Sequence, residues 1–368
     1  MKLTVLQENL KNSLSYLQKV IPTKHQISIL SSILLSVKEN KLTLSATDLY
    51  LGIKTELIVE TKDSGDLIVN GELFRSIINS LESGKLELEL QGNSLVISQG
   101  KTISKLSCQS SEEFPDFPEV DGDSFKISIA NLEKIQNLVT FCAGTDQSRP
   151  ILTALLFKFK EEGLEVVATD GFRLSNLFLS ELGSTEKKTI LIPAKATNEL
   201  YRIAHQNNVD EVEILVSEEL KQLLFKLSGV EMYVRLIEGD YPPYEKIIPP
   251  DFNLQVEFDS ETFLTQLKRA AIFSRDASNI VKISIQKDQM KIFSESPSFG
   301  DYSGEIEIKN ESGMNGEIAF NVNYLIDFIN AVKPETLFFG MNESLKPAIF
   351  KDKERNDYFY IAMPFRVS

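Results

Sequence analysis

The chain repeats one pattern three times at domain-sized intervals, and this repetition limits its possible folds more than any other feature. Ala46–Asp48 and Ala168–Asp170 both read Ala-Thr-Asp, and each follows two apolar, strand-like runs. The third repeat has Ser294–Ser296 at the corresponding place. The repeats lie about 120 residues apart, which is the size of a typical domain.

Within each repeat, a strand pattern precedes a helix pattern, and the pair occurs twice. Leu3–Val5, Phe125–Ile129 and Leu254–Phe258 alternate apolar and polar residues, as strands with one solvated face do. Apolar residues at helical spacing follow each of these runs, and we expect Asn131 and Ser260 to cap the second and third helices. Each repeat is therefore predicted to contain two strand–helix–strands half-repeats.

The predicted fold class is α+β, with antiparallel sheets and three tandem domains. We place the domains at residues 1–123, 124–250 and 251–368. Two proline-containing segments, Glu112–Pro118 and Gly239–Tyr244, are predicted to link the domains because proline disfavours regular structure.

Composition excludes several classes of protein. The chain has 368 residues, of which 42% are hydrophobic and 25% are charged, as in ordinary globular proteins. No apolar run reaches the roughly 18 residues of a membrane span, and Glu8 precedes any signal-like stretch, so we expect a cytoplasmic protein. With two cysteines and two histidines, we expect no metal and no cofactor, and we predict that Cys108 and Cys142 are buried free thiols.

The net charge of −14 argues against a nucleic-acid partner unless the charge is segregated. Segregation is what the sequence shows, because the six predicted helices with their flanks carry a small net positive charge while the strands and loops are acidic. One explanation is that Lys and Arg are good helix formers, although Glu is an equally good one. The other is that the helices share a surface that faces a polyanion.

Four further segments occur in a characteristic order. They are Ala168–Leu174, Gly239–Tyr244, Phe320–Leu325 and Met363–Arg366. Together with the repeats, they make the chain resemble the bacterial sliding clamps, the beta subunits of replicative DNA polymerases, over essentially its whole length. The resemblance implies DNA-clamp domains with helices inside and antiparallel sheets outside, and a head-to-tail homodimer that closes into a ring around duplex DNA.

The same resemblance implies a non-enzymatic function, in which the ring holds a polymerase on DNA and slides freely. The implied partners are double-stranded DNA, a second copy of the chain, and several proteins that bind through short linear motifs. Those proteins are the replicative polymerase alpha subunit, the clamp loader, other polymerases and repair proteins. No membrane partner is expected.

Sliding requires phosphate contacts that do not read the base sequence, and Lys and Arg provide them. Six cations are predicted to face the DNA, namely Lys24, Arg149, Lys195, Arg202, Lys268 and Arg275. The first two match positions with that role in the family, and the other four are inferred from their places on predicted helices. Each could instead be a solvated surface cation.

A groove for partner peptides is implied on the third domain and its border with the second. Carried over by position, its residues are Leu152, Thr169, Gly171, Phe172, Arg173, Leu174, Pro242, Lys246, Ile247, Pro347, Ile361, Met363, Pro364, Phe365 and Arg366. Their apolar side chains suit a slot for linear motifs, and the arginines suit polar or anionic peptide ends. Phe172 replaces a common His and Phe365 a frequent Met, which enlarges the aromatic surface. Leu152, Leu174 and Met363 could instead fill core.

Ring closure is expected at Ile272 and Phe273, which match family interface positions and would face Leu106 of the partner subunit. Two adjacent bulky apolar residues on a helix cannot both face one core, so at least one is a candidate for an intersubunit contact. Burial in the core is the alternative.

No arrangement of residues predicts catalysis. Asp48 and Asp170 occupy equivalent places in two repeats, but Ser296 stands in the third, so we predict turn residues that cap backbone groups rather than an acid–base pair. Two other functions stay open beside the clamp: a carboxylate-dependent hydrolase, and a protein-docking module without a DNA role. The helix-biased positive charge favours the clamp over both.

Overall fold

A computed structural model describes residues 1–21, 27–184, 187–276 and 278–366. These residues form two compact units, one made of residues 1–130 and 198–236, the other of residues 131–197 and 237–368. In the described parts of the chain, every helix is too short or too polar to cross a membrane.

Six α-helices occur in the described residues, two in each repeat. They are α1 (Gln7–Leu17), α2 (Gly71–Ser80), α3 (Ile129–Leu138), α4 (Ala194–Gln206), α5 (Ser260–Ser274) and α6 (Val322–Val332). Short 3-10 turns lie at Ser28–Ser31, Thr140–Cys142, Pro150–Thr153 and Tyr244–Ile247.

The strands of the first repeat are β1 (Lys2–Leu6), β2 (Ser32–Lys38), β3 (Lys41–Thr47), β4 (Leu51–Ile58), β5 (Glu60–Asp63), β6 (Gly65–Asn70), β7 (Lys85–Gln91), β8 (Ser94–Gln99) and β9 (Thr102–Gln109). Those of the second are β10 (Asp123–Ser128), β11 (Ala154–Lys160), β12 (Gly163–Thr169), β13 (Arg173–Leu179), β14 (Thr189–Pro193), β15 (Glu211–Ser217), β16 (Gln222–Leu227) and β17 (Val230–Arg235). Those of the third are β18 (Leu254–Asp259), β19 (Ile280–Gln286), β20 (Gln289–Ser296), β21 (Gly300–Glu307), β22 (Gly316–Asn321), β23 (Thr336–Met341), β24 (Ala348–Asp352) and β25 (Tyr358–Ala362).

The predicted half-repeats are confirmed. Each repeat reads strand, helix and three strands, twice over, and the first repeat adds the short strand β5. The chain is thus α+β with antiparallel sheets, as predicted.

Each unit has its own sheets. The first unit holds one sheet in the order β10-β15-β16-β17-β4-β3-β2-β6-β9-β8-β7-β1-β5. The second unit holds an eight-stranded sheet, β14-β11-β12-β13-β25-β24-β23-β18, and a four-stranded sheet, β21-β20-β19-β22. Strands of residues 124–250 therefore contribute to both units, because β10 and β15–β17 extend one sheet while β11–β14 extend another.

The two predicted helix caps are wrong, by three residues for Asn131 and by one for Ser260. Helix α3 begins at Ile129, so Asn131 lies inside it and is buried. Helix α5 begins at Ser260, and its cap is the carboxylate of Asp259, which accepts a hydrogen bond from the Thr262 N–H. In both cases the capping position is displaced toward the preceding strand, which runs directly into the helix.

The segment Glu112–Pro118 lacks regular structure, as predicted, but it is packed against the sheet of the first unit. The ring of Phe117 meets that of Tyr233 edge-on, with centroids 4.9 Å apart, and the Lys54 ammonium lies 4.6 Å from the Phe117 centroid. A side chain at Gly52 would come within 2.5 Å of Phe117, so glycine is required beneath the ring.

The three equivalent turns are built alike. Asp48 Oδ1 accepts hydrogen bonds from the N–H groups two and three residues later, at 3.0 and 2.7 Å. Asp170 Oδ1 does the same at 2.8 and 3.0 Å, and Ser296 Oγ does so at 3.2 and 3.0 Å. The prediction that these residues cap turns is confirmed.

Candidate functional site

The predicted groove residues converge in the second unit because β13 and β25 are neighbouring antiparallel strands. Leu174 lies opposite Ile361 in their register, and Arg173 lies opposite Ala362. Beyond the last strand pair, the Met363 N–H donates to the Phe172 carbonyl over 2.8 Å, which extends the ladder into the C-terminal segment. Residues far apart in sequence therefore line one surface.

Burial divides these residues into a floor and a rim. The floor residues are buried in the unit's core and comprise Thr169, Leu174 and Ile361. The rim residues are half-buried or exposed, and comprise Leu152, Gly171, Phe172, Pro242, Lys246, Ile247, Pro347, Met363, Pro364, Phe365 and Arg366. The alternative of core filling thus describes Leu174, whereas Leu152 and Met363 keep part of their surface free.

The turn at the rim is shaped by Gly171 and Asp170. Gly171 has a φ of +94°, a conformation that other residues rarely adopt, and a side chain there would point into open space near Arg149. Thr169 fixes the turn from inside, because its hydroxyl donates to the Arg173 carbonyl and accepts from the Gly171 N–H. Phe172, at the tip, stays 47% exposed.

Arg173 pairs with two carboxylates within its own unit. Its guanidinium donates to Asp170 Oδ2 over 3.0 Å and to Asp327 Oδ2 over 2.7 Å, and only 13% of the side chain is exposed. Its Cζ also lies 4.7 Å from the ring centroid of Tyr324 and 5.6 Å from that of Phe141. Two carboxylates therefore already pair with Arg173, and its expected contact with a polar or anionic peptide end stays a prediction.

Arg149, which was expected to face DNA, lies beside the groove. It belongs to the turn before Pro150–Thr153 rather than to α3, and one guanidinium nitrogen is 3.8 Å from the point where a Cβ on Gly171 would lie. An exposed ion pair with Asp146, at 3.5 Å, is its charged contact.

Of the other predicted DNA-facing cations, Lys195 and Arg202 lie on α4, Lys268 lies on α5, and Arg275 directly follows α5. Lys195, Lys268 and Arg275 are exposed. Arg202 is different, because its guanidinium bonds Glu199 at 2.7 Å and also reaches Gln206 and the Ser15 carbonyl. Lys24 lies outside the described residues.

The predicted ring-closure residues differ in exposure. On α5, Ile272 is 62% exposed, whereas Phe273 is half-buried with its ring stacked 6.3 Å from that of Tyr302. Leu106 is buried within its own sheet, opposite Leu95. Ile103, on the other face of the same strand β9, is 63% exposed and was missed by the sequence reasoning.

The ionisable groups beneath the groove are buried and paired. Burial raises the pKa of Glu165, but an ion pair with Lys160 at 2.7 Å and a hydrogen bond from Asn176 at 2.6 Å hold that pKa below its ordinary value. Burial raises the pKa of the Cys142 thiol well above its usual range. Such a thiol stays protonated and unreactive at neutral pH. Cys108, by contrast with the prediction, is only half-buried.

The described residues hold no cluster of three or more metal-ligating side chains. What these residues offer instead is a buried apolar floor, an exposed aromatic side chain at Phe172 and exposed cations such as Arg149, Lys246 and Arg366. Such an arrangement can hold the side chains of a short extended peptide.

Family models of the DNA polymerase III beta subunit match the chain in three successive parts. The N-terminal domain matches residues 1–118, the central domain residues 126–243 and the C-terminal domain residues 245–366. The curated beta sliding clamps of Staphylococcus epidermidis and Staphylococcus aureus are 27% identical over 380 residues, covering 100% of this chain and 99% of each relative.

Solved structures agree over the full length of both chains. The DNA polymerase III beta subunit of Thermotoga maritima is 25% identical with a TM-score of 0.92, and the beta chain of Streptococcus pneumoniae is 26% identical with a TM-score of 0.93. A Pseudomonas aeruginosa sliding clamp bound to griselimycin is 25% identical with a TM-score of 0.92. The chain belongs to the DNA polymerase III beta subunit family, the beta sliding clamps.

Proposed function

We propose that two copies of this chain join head to tail into a ring that encircles duplex DNA and tethers a polymerase to it. The observation that carries the proposal is the threefold repeat over the whole chain. We assign residues 1–123, 124–250 and 251–368 to the three clamp domains.

Two strands that each leave one side at least partly unpaired, β9 and β21, carry opposite charges. In the described residues, β21 pairs only with β20, and β9 pairs with β6 only at its C-terminal end. Lys101 and Lys105 flank or lie on β9, whereas Asp301, Glu305 and Glu307 lie on β21. Because unpaired edges are templates for another strand, β9 of one subunit fits β21 of the next, with opposite charges across the seam.

Apolar contacts would support this seam. Ile272 and Ile103 are each more than half exposed, so each offers apolar surface that a partner subunit could cover. We assign Ile272 to the interface with Phe273 behind it, and Ile103 rather than Leu106 as the exposed apolar residue of the opposing edge.

The contact between these helices and the DNA phosphates is expected to be weak. Lys268 lies on α5 and Arg275, seven residues later, is the helical C-cap of α5, so the two lie on the same side of that helix, as Lys195 and Arg202 do on α4. Arg202 contributes less free charge, since Glu199 pairs with it. A few dispersed cations on an otherwise acidic protein hold the phosphates loosely, which leaves the energy nearly constant along the duplex.

The groove would bind the partner proteins. Phe172, Met363 and Phe365 offer apolar and aromatic surface, while Arg149 and Arg366 offer positive charge. Linear motifs with apolar residues beside an acidic group or a C-terminal carboxylate fit this combination. The partners we assign to it are the replicative polymerase alpha subunit, the clamp loader, and other polymerases and repair proteins.

We infer no catalytic role, since Asp48 and Asp170 are occupied as turn caps, and we place the protein in the cytoplasm, where bacterial DNA is replicated. The test is retention on DNA after loading by a clamp loader. A ring stays on circular DNA and leaves linear DNA by its ends. Equal retention on both would contradict the ring, and a variant with a broken subunit interface serves as the control because it should be retained on neither.

A further inference from the structure

We propose that Asp327, on helix α6, is a positioning residue for the groove: it holds Arg173, and through Arg173 it fixes the turn that presents Phe172. The inference rests on the proposed peptide-binding role of the groove. Asp327 is not among the residues that the resemblance assigns to that groove, and it lies 154 residues along the chain from Arg173.

A continuous chain of hydrogen bonds links α6 to the turn. Asp327 Oδ2 accepts from the Arg173 guanidinium over 2.7 Å, and Asp170 Oδ2 accepts from the same guanidinium over 3.0 Å. The other oxygen of Asp170 accepts from the Phe172 N–H over 2.8 Å. The backbone of the aromatic tip is thus connected to the helix through two carboxylates and one arginine.

The arginine is held rigidly between these carboxylates. Its guanidinium lies near the rings of Tyr324, also on α6, and Phe141. Phe141 in turn stacks on Tyr360 with centroids 6.0 Å apart. A guanidinium enclosed by rings and bound by two carboxylates has little freedom, so it transmits the position of α6 to the turn.

The other repeats show that the turn does not need this link in order to form. In the first repeat Asp48 caps the equivalent turn with the same two backbone hydrogen bonds, but Leu51 stands where the second repeat has Arg173. In the third repeat Ser296 caps the turn, and Phe299 stands at that place. The arginine and its partner on α6 are additions to the turn that lines the groove.

The same strand–helix element also contacts the C-terminal segment. Strand β22 leads directly into α6, and its Ala319 carbonyl accepts a hydrogen bond from the Phe365 N–H over 2.8 Å. This element is therefore bonded to the backbone of Phe365 through Ala319 and, through Asp327, Arg173 and Asp170, to that of Phe172. A peptide that contacts both aromatic residues would depend on how this element positions them.

The experiment measures the affinity of a synthetic peptide carrying the C-terminal residues of the polymerase alpha subunit. Asp327→Ala, which keeps helix propensity high, should weaken binding about 5- to 10-fold, and Asp327→Glu should recover most of the loss. Glu211→Ala, which breaks the Lys126–Glu211 ion pair at 2.8 Å in the other unit, is the matched control and should leave affinity unchanged.

Two further readouts separate positioning from general destabilisation. In a Phe172→Ala background, the loss caused by Asp327→Ala should shrink, because the residue it positions is gone. Amide hydrogen exchange should quicken at Phe172 in Asp327→Ala but not at Tyr50 in the equivalent turn of the first repeat. Unchanged affinity, fully additive losses or unchanged exchange at Phe172 would each overturn the inference. A wild-type protein that binds no such peptide but shows the exchange difference would overturn the groove's function instead.

Discussion

Phe172 allows the groove to be tested by a single truncation whose magnitude follows from its exposure. A phenylalanine side chain presents roughly 150–250 Å² of surface, and 47% of Phe172 is exposed. A bound peptide that covers this surface therefore removes about 70–120 Å² from water. At about 25 cal/mol per Å², Phe172→Ala should cost about 2–3 kcal/mol, or about 30- to 150-fold in peptide affinity.

The assay is fluorescence anisotropy of a labelled polymerase-tail peptide, with thermal unfolding to show that the variant is folded. Phe299→Ala is the matched control, because Phe299 lies in the equivalent turn of the third repeat and is 78% exposed, but has no assigned partner peptide. Phe299→Ala should bind as the wild type does. A folded Phe172→Ala variant with unchanged affinity, or an equal loss in Phe299→Ala, would refute the placement of the groove.

Three other measurements address closure, DNA contact and acid stability. Ile272→Ala with Phe273→Ala should yield monomers in sedimentation, and an intact dimer would reject the assigned interface. Lys268→Ala with Arg275→Ala should reduce the salt dependence of DNA retention by about one to two phosphate contacts, and an unchanged slope would remove them from the DNA-facing surface. The pKa of Glu165 is lowered on folding, so its contribution is present above the ordinary carboxyl range and is lost as the pH falls through the lowered pKa. The Glu165→Gln variant should therefore be less stable than the wild type at neutral pH, with the difference narrowing in acid in denaturant titrations.

Much of the fold could be predicted because short-range sequence patterns determine its strands and helices, and these patterns occur three times along the chain. The alternation of apolar and polar residues and the helical spacing of apolar residues predict the same elements in each repeat. The half-repeats could therefore be predicted without information on contacts between distant segments. The exact helix starts were missed, since Asp259 and Ser260 are both competent caps and the choice depends on where β18 ends. The assembly of β10 and β15–β17 into a sheet with β4 depends on pairing between strands far apart in sequence, which local patterns do not encode.

In the candidate site, sequence patterns predicted only the apolar residues and the turn. The capping role of Asp170 could be predicted because Asp170 is equivalent to Asp48 and Ser296 in the other repeats. The role of Asp327 could not be predicted, since it depends on a contact with Arg173, 154 residues away in the sequence. The pairing of Arg173 with Asp170 and Asp327 was not predicted for the same reason, because the Asp327 contact links segments far apart in sequence. Its contact with a peptide end stays a prediction.

The equivalent turns of the first two repeats allow the contribution of the capping aspartate to stability to be distinguished from its contribution to peptide binding, because the same substitution can be made in both. Asp48→Ala and Asp170→Ala each remove an acceptor for two backbone N–H groups, so each should lower the free energy of unfolding by about 1–2 kcal/mol. Only Asp170 also holds Arg173, so only Asp170→Ala should weaken peptide binding. Denaturant titration and peptide anisotropy on both variants give the comparison. Equal losses of affinity would mean that the turn of the second repeat contributes to the groove only through overall stability, which would contradict its special role.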